Sequence, residues 1–295
     1  RGHHVRVATP EDPASARMGE GFYRFWPRTV AGSFTHAWRL EERRIARGGR
    51  HPWRLGNDVI NSVLMSVVVW AVLIVWLGPE VLPYLAIQAF VAVTLLEAIN
   101  YLEHYGLLRQ RVGQPGSERF ERVEPRHSWN SNNVVTNVLL YHLQRHSDHH
   151  ANPTRRYQCL RDEPEAPVLP TGYGGMVLLA LVPPLWRRVM DPRVVRHYGG
   201  DLRLANVSAR ARDGLLRRYP VPDTAVPVAV GASGAAPISV ISGAMRCPGC
   251  GLVYDERLGL PREGFAPGTP WDQVPEEWCC PDCGVRMKSD FIPAV

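Results

Sequence analysis

Histidine and cysteine, the side chains best suited to hold transition metals at neutral pH, are bunched in this chain of 295 residues rather than scattered. His3 and His4 are adjacent. His104 stands in Asn100-Tyr101-Leu102-Glu103-His104-Tyr105-Gly106, and His142, His146, His149 and His150 crowd into Tyr141-His142-Leu143-Gln144-Arg145-His146-Ser147-Asp148-His149-His150. On a helix, positions 146, 149 and 150 are i, i+3 and i+4, so three imidazoles share one face. Neutral imidazole suits iron, and such a face offers several ligands without distorting the backbone. A polar helix end or an adventitious zinc site would also explain a lone H-x-x-H-H; three separate clusters beside an apolar stretch argue against that. Glu103 and Asp148 adjoin these histidines and could orient imidazole N–H groups, although solvated carboxylates are as common. His142, one turn before His146, could face the site or a substrate, with plain packing the commoner role. His36, His51, His127 and His197 lack cluster spacing and read as surface residues.

The cysteines make a second group. Cys247-Pro-Gly-Cys250-Gly and Cys280-Pro-Asp-Cys283-Gly are separated by 29 residues and offer four thiolates, a set that takes zinc or a single iron. Glycine after each second cysteine lets the backbone turn tightly enough for amide N–H groups to face the sulfurs. Two C-x-x-C pairs fit a metal site in a reducing compartment better than a disulfide framework. Cys279 reads as a small buried hydrophobe and Cys159 as an ordinary core or surface thiol.

The elements that must position these groups follow from composition. Residues 1–54 are polar and Arg-rich. Val59 to Leu77 is then nineteen residues without a charge, about 28 Å as a helix, close to the hydrocarbon thickness of a bilayer. After Gly78-Pro79-Glu80 a second apolar run covers Val81 to Ile99, broken by Glu97. The pair predicts a transmembrane hairpin over 59–77 and 81–99. Arginines precede the first run and follow the second, while the turn has none, so both outer ends should face the cytoplasm. Residues 128–150 have helical spacing. Gly175 to Trp186 is apolar but short and broken by Pro183-Pro184, as an interfacial or re-entrant piece would be. Pro220 to Ala244 has one charge, Asp223, and is rich in Pro, Gly, Ala and Ser. It reads as a flexible linker with a reach of about 25–30 Å. It divides a body, residues 1–219, from a small domain, 245–295. From Met245 onward there are five basic and eight acidic residues, net −3; the remainder holds 29 basic and 20 acidic, net +9. Basic body and acidic tail should attract one another, and nucleic-acid binding is not expected.

The segment Gly251 to Gly284 resembles rubredoxin throughout, in Val253-Tyr254-Asp255, Gly264, Pro267-Gly268-Thr269, Trp271, Val274-Pro275 and Trp278. That resemblance implies one iron held by Cys247, Cys250, Cys280 and Cys283, a short β-sheet, and a small core of Tyr254, Trp271 and Phe291. So small a domain would owe much of its folding energy to the metal.

The body is similar to the membrane alkane 1-monooxygenases, relatives of xylene monooxygenase and, more distantly, of membrane fatty-acid desaturases. The carriers are R-G-H-H-V-x-V-A-T-P-E-D-P-A-S-A-R at 1–17, F-Y-R-F-W-P-R-T at 22–29, N-Y-L-E-H-Y-G at 100–106 and L-Q-R-H-S-D-H-H at 143–150. The resemblance implies a mainly α, integral-membrane di-iron hydroxylase with a histidine-rich cytoplasmic cap, two non-haem irons and nine histidine ligands. Six of these map onto His3, His4, His104, His146, His149 and His150, which are then also the catalytic residues. The first box, H-E-x-x-H, and the E-H opening the second would lie upstream of Arg1, so an upstream segment or separate chain is expected to supply them. The implied reaction is terminal hydroxylation of medium-chain n-alkanes to 1-alkanols with O2. Electrons would come from the fused rubredoxin, reloaded by an NAD(P)H-dependent reductase, in a bacterial cytoplasmic membrane with both metal sites on the cytoplasmic side. Trp70, Trp76 and Phe90 are candidates to line an apolar substrate channel. A hydroxylase or desaturase acting on another hydrocarbon or acyl chain, and a membrane-anchored rubredoxin electron carrier, are the competing expectations.

Overall fold

A computed structural model describes residues 2–114, 118–222 and 244–294. The linker read at 220–244 therefore lies, for residues 223–243, outside the described residues. The chain opens with α1 (Gly2–Arg6), a short helix that leads through a tight loop into α2 (Phe22–Arg47). Asn57 caps α3 (Asp58–Leu77), its side chain accepting from the amides of Val59 and Ile60. The helix stops at Gly78, whose φ of 88° suits glycine, and Pro79 follows. The next helix, α4 (Leu82–His104), runs beyond the apolar stretch expected to end at Ile99. Asn100, Glu103 and His104 mark a change in surroundings, not the end of the helix. α4 thereby carries His104 continuously from its apolar length into the polar body.

Both α3 and the run Pro79–His104 are long and apolar enough to cross a membrane. No residue in the α3 window is buried, and Val75 and Trp76 are 88% and 78% exposed. An apolar helix exposed all round is stable in hydrocarbon and unfavourable in water.

The body core forms where α2 and α4 meet α7 (Tyr173–Ala180) and α8 (Pro183–His197). Trp186 is fully buried against Tyr101, at 4.8 Å between ring centroids, and Tyr105, at 5.3 Å. Pro183-Pro184 begins α8 instead of breaking a span, since the first turn needs no intrahelical N–H. Gly106 follows α4 with φ 74°; a Cβ there would come within 2.8 Å of Val194. Glycine is thus needed to turn the chain directly under α8. The stretch 128–150 is not one helix. It divides into α5 (Val134–Leu139) and α6 (His146–Ala151). Tyr141 and His142 at φ 51° and 60° turn the chain between them, with the His142 amide bonded to Asn137 O at 2.8 Å. After α8, α9 (Arg212–Arg218) closes the body, and a two-stranded ribbon pairs β1 (Arg111–Val112) with β2 (Arg119–Phe120).

The small domain has a three-stranded antiparallel sheet in the order β4 (Val253–Asp255), β3 (Ala244–Arg246), β5 (Ile292–Pro293). Tyr254, Phe265, Trp278 and Phe291 fill its core, with Trp271 packed against them. It rests on the body through arginines. Arg44 donates to Arg262 O at 2.9 Å and Arg47 to Glu263 O at 2.8 Å. Arg122 pairs with the buried Asp290 carboxylate at 2.7 Å, and Arg119 donates to Ser289 Oγ at 2.9 Å. A Cβ on Gly264 would come within 2.6 Å of Arg47 Cβ, so this glycine lets the two surfaces close. The expected charge attraction is present, but half of these contacts end on backbone carbonyls, which carry direction rather than net charge.

Reversing the one strong ion pair tests this docking. Arg122→Glu should shift the docked population by about fivefold, an effect of about 1 kcal/mol. Energy transfer between fluorophores on the two domains would report it, and adding Asp290→Arg should restore the signal.

Candidate metal centres

Three separate segments bring their imidazoles to one place. α1 presents His3 and His4, the end of α4 presents His104, and α6 presents His146, His149 and His150. Ring centroids of His3, His104 and His150 lie 5.0 Å apart in each pairing, and His146 lies 4.3 Å from His150. His4 sits 4.8 Å from His150 and 4.9 Å from His149. One ligand nitrogen each from His3, His104, His146 and His150 falls within 4.8 Å of the others.

Hydrogen bonds fix which nitrogen of two rings faces inward. His3 Nδ1 bonds Asp12 Oδ2 at 2.9 Å, leaving Nε2 without a partner. Asp12 is itself held by Ser15 Oγ at 2.7 Å and by the Ala14 amide. His104 Nδ1 faces the carbonyl of His127 at 3.3 Å, and again Nε2 has no partner. Both ring nitrogens of His146 and of His150 are buried without a hydrogen-bond partner among the described residues. Leaving one such group unsatisfied costs about 1–3 kcal/mol, so a cluster of them calls for a cation. Glu103 belongs to the same pocket. Its Oε1 accepts from Tyr173 at 2.9 Å, while Oε2 stands 3.0 Å from His146 Nε2 without hydrogen-bond alignment.

Burial holds His146, His149 and His150 below the usual imidazole range. Burial, then the neighbouring His149 and His3, take His4 down to about 3. These rings are neutral at pH 7, the form that donates a lone pair to a metal. Burial also opposes charge on His3, but the Asp12 carboxylate outweighs it and raises His3. The donor set fits a metal site: crowded imidazoles and one carboxylate, with several of their atoms buried and otherwise unsatisfied.

Other candidate residues end up elsewhere. The fully buried Asp148 does not orient an imidazole. Its oxygens take Arg155 Nη1 at 2.5 and 2.6 Å, the Arg161 amide at 2.7 Å and Asn152 Nδ2 at 2.8 Å. It therefore clamps the loop that follows the histidine helix. His142 stays out of the cluster and lies near Arg145. His127 is not a surface residue: it is buried, with Nε2 3.1 Å from Glu121, and its backbone serves His104. His36 is partly buried beneath Gly2, while His51 is exposed and His197 stacks beside Tyr198. Trp76 lies at the turn end of α3, remote from the histidines, Trp70 is partly exposed, and Phe90 packs on Trp26 at 5.8 Å. The signal for Asp12 was present in Pro10-Glu11-Asp12-Pro13, but sequence spacing gave no reason to connect it with His3.

In the small domain Cys247, Cys250, Cys280 and Cys283 bring their sulfurs within 4.8 Å of one another. Gly251 and Gly284 adopt φ of 83° and 67°, the tight turns that each knuckle requires. Burial pushes the Cys247 thiol up to about 11, and a cation among the four sulfurs would favour its thiolate. Cys279 is buried beside them, paired in backbone register with Met287 and separate from the four-sulfur set. Thr154 Oγ1, four residues after His150, donates to Gly249 O of the first knuckle at 3.4 Å.

A helical body with clustered histidines, joined to a small domain with a four-cysteine metal site, defines a class of metalloprotein. Residues 1–179 match the family model described as fatty acid desaturase, and residues 244–291 match that of rubredoxin; the chain belongs to the fatty acid desaturase family and carries a rubredoxin domain. It is 50% identical over 222 residues to the alkane 1-monooxygenase of Acinetobacter baylyi, covering 75% of this chain and 54% of that protein. Against the alkane 1-monooxygenase of Ectopseudomonas oleovorans it is 48% identical over 219 residues, 74% of this chain and 54% of the relative. Rubredoxin 3 of Rhodococcus erythropolis is 71% identical over 48 residues, 16% of this chain and 79% of that protein. The chain spans about half the length of the monooxygenases it matches.

Three substitutions separate positioning from ligation. Asp12→Asn keeps the shape but weakens the hold on His3, and iron affinity of the histidine site should fall by about 10–100-fold, read by metal titration. Cys283→Ser should abolish the visible absorption of the four-sulfur iron, whereas Cys279→Ser should leave it intact.

Proposed function

We propose that this chain forms part of an O2-dependent alkane 1-monooxygenase that converts n-alkanes to 1-alkanols and is supplied with electrons by its own rubredoxin domain. The observation that carries the reading is the convergence of His3, His4, His104, His146, His149 and His150 at the polar end of α4. These six would hold a pair of non-haem irons together with imidazoles from outside these residues, as the greater length of the relatives allows. Bound there, iron would supply the O2 chemistry needed to break an unactivated C–H bond, which no side chain can supply.

The chain's own residues then have defined tasks. Asp12 and the His127 carbonyl engage Nδ1 of His3 and His104, leaving Nε2 of each as the atom that would hold a metal. Tyr173 holds Glu103 against His146, placing a carboxylate where protons are consumed. An alkane offers no polar handle, so it must be held by apolar contacts. α3 and α4 would span the bilayer, arginine-rich ends toward the cytoplasm, and admit the alkane from the lipid past Phe90, Trp70 and Trp76. Hydroxylation consumes two electrons and rubredoxin delivers one at a time. Tethering raises its effective concentration to about the millimolar range, and an NAD(P)H-dependent reductase must reload it. The setting is the cytoplasmic membrane of a bacterium. Desaturation is the second reading, favoured by the family model that covers residues 1–179.

Product analysis decides between them. Full-length protein in membranes, with reductase, NADH and O2, should turn n-octane to n-hexadecane into 1-alkanols and should carry three irons per chain. Alkene products, or double bonds introduced into acyl chains with no alkanol, would overturn the assignment. Iron confined to the rubredoxin domain would reduce the protein to an electron carrier.

A further inference from the structure

A cavity of about 330 Å³ that the metal chemistry does not use opens between the start of α2 and the loop before α9. Arg17, Glu20, Arg24, Arg28, Ser208 and Arg210 line it. The charges there do not balance. Glu20 is the one carboxylate, and Arg28 already takes both of its oxygens at 2.8 Å while also donating to the carbonyls of Pro13 and Ser15. Arg17, Arg24 and Arg210 remain, and among the described residues none of their guanidinium groups meets a hydrogen-bond acceptor. Arg17 is partly buried, and desolvation followed by repulsion from Arg28 lowers its pKa. Holding like charges together in a partly desolvated pocket is unfavourable unless an anion joins them.

The surroundings say which anion. One wall continues into apolar surface: Gly21 packs on Pro183, Tyr23 Oη donates to Leu181 O at 2.9 Å, and Leu178, Leu181, Val182 and Leu185 are exposed beside it. Glu20 O accepts from Tyr101 Oη at 2.7 Å, so the cavity is level with the polar end of α4, just past the apolar run that closes at Ile99. A tyrosine such as Tyr23 at that border suits the headgroup level of a bilayer. The arginine cavity therefore opens where lipid phosphates lie, with side chains suited to acyl chains next to it. Guanidinium forks match phosphate oxygens better than a diffuse positive surface does, and a compact pocket of this volume suits one headgroup better than the length of a nucleic acid.

We propose that this cavity binds the phosphate of an anionic phospholipid. The inference rests on the bilayer placement of α3 and α4 proposed above, and the soluble arm of the test separates the two. Full-length protein would be titrated with phosphatidylglycerol and phosphatidylcholine vesicles and, in detergent, with inorganic phosphate; retained lipid is read by native mass spectrometry and protection by the thermal unfolding midpoint. The expected result is preferential retention of phosphatidylglycerol, weakened about fivefold for each of Arg17→Gln, Arg24→Gln and Arg210→Gln. Arg217→Gln, on an exposed arginine outside the cavity, should change nothing. Arg24 and Arg210 are exposed and, among the described residues, their side chains meet no hydrogen-bond acceptor, so their loss tests binding without threatening the fold. Equal retention of both lipids, or an Arg24→Gln/Arg210→Gln double variant that binds phosphatidylglycerol like the parent, would overturn the site. Protection by inorganic phosphate with no lipid preference would overturn the lipid assignment and place a free anion there.

Discussion

Everything in the body answers one constraint: six imidazoles must be crowded together, largely buried, and aimed at a common space. The rings bring polar nitrogens into a region poor in water, and seven of the twelve are buried without a partner among the described residues. Such an arrangement is unstable by itself, because unsatisfied buried donors and acceptors lose hydration without replacement. The scaffold resists collapse by tying down the segments that carry the rings. Arg109 reaches Val5 O and Glu121 O, stitching α1 to the segment that buttresses His104. Tyr105 accepts from Gly19 at 2.8 Å and donates to Asp191 at 2.7 Å, and so fixes the end of α4 against α8. Trp186 fills the space beneath.

Much of this was legible in the sequence, because metal ligands obey spacing rules that local geometry imposes. The i, i+3, i+4 pattern at 146, 149 and 150 needs only one helical turn to be right, and one turn is what α6 provides. The same periodicity over-reached further back: residues 128–150 have helical spacing, yet the left-handed Tyr141-His142 turn breaks them into two helices, and no pattern of apolar residues announces that. The apolar run gave the membrane-compatible part of α4 but not its end, since polarity reports the surroundings of a helix and not its backbone. Asp148 shows a related limit. Adjacency in sequence leaves open whether it orients an imidazole, while in the fold its side chain meets Arg155, Arg161 and Asn152. Asp12 shows the converse, a partner nine residues from His3 whose role exists only after folding. The rubredoxin domain was readable throughout, because so small a core leaves few positions free to vary.

The two metal domains are joined by more than the linker. Besides the α2 arginines, the body reaches the rubredoxin through two segments that each run into the histidine cluster. Arg119 and Arg122, which hold Ser289 and Asp290, begin the stretch that ends at His127, whose carbonyl faces His104. Thr154, against the first cysteine knuckle, follows His150 by four residues, and the next residue, Arg155, locks onto Asp148 inside the same helix. Neither route needs a side chain devoted to electron transfer. Short covalent runs and hydrogen bonds already connect sulfur ligand to imidazole ligand.

This arrangement gives the Asp148–Arg155 pair a purpose that orientation of an imidazole would not. With both Asp148 oxygens occupied by Arg155, Arg161 and Asn152, the loop after α6 is tied back to the helix that carries His149 and His150. Thr154, in that loop, meets the knuckle carrying Cys247 and Cys250. In the function proposed above, the clamp would set the contact loop relative to the histidines without itself holding a metal. The carboxylate lies beside the ligands in sequence because the loop it holds begins there.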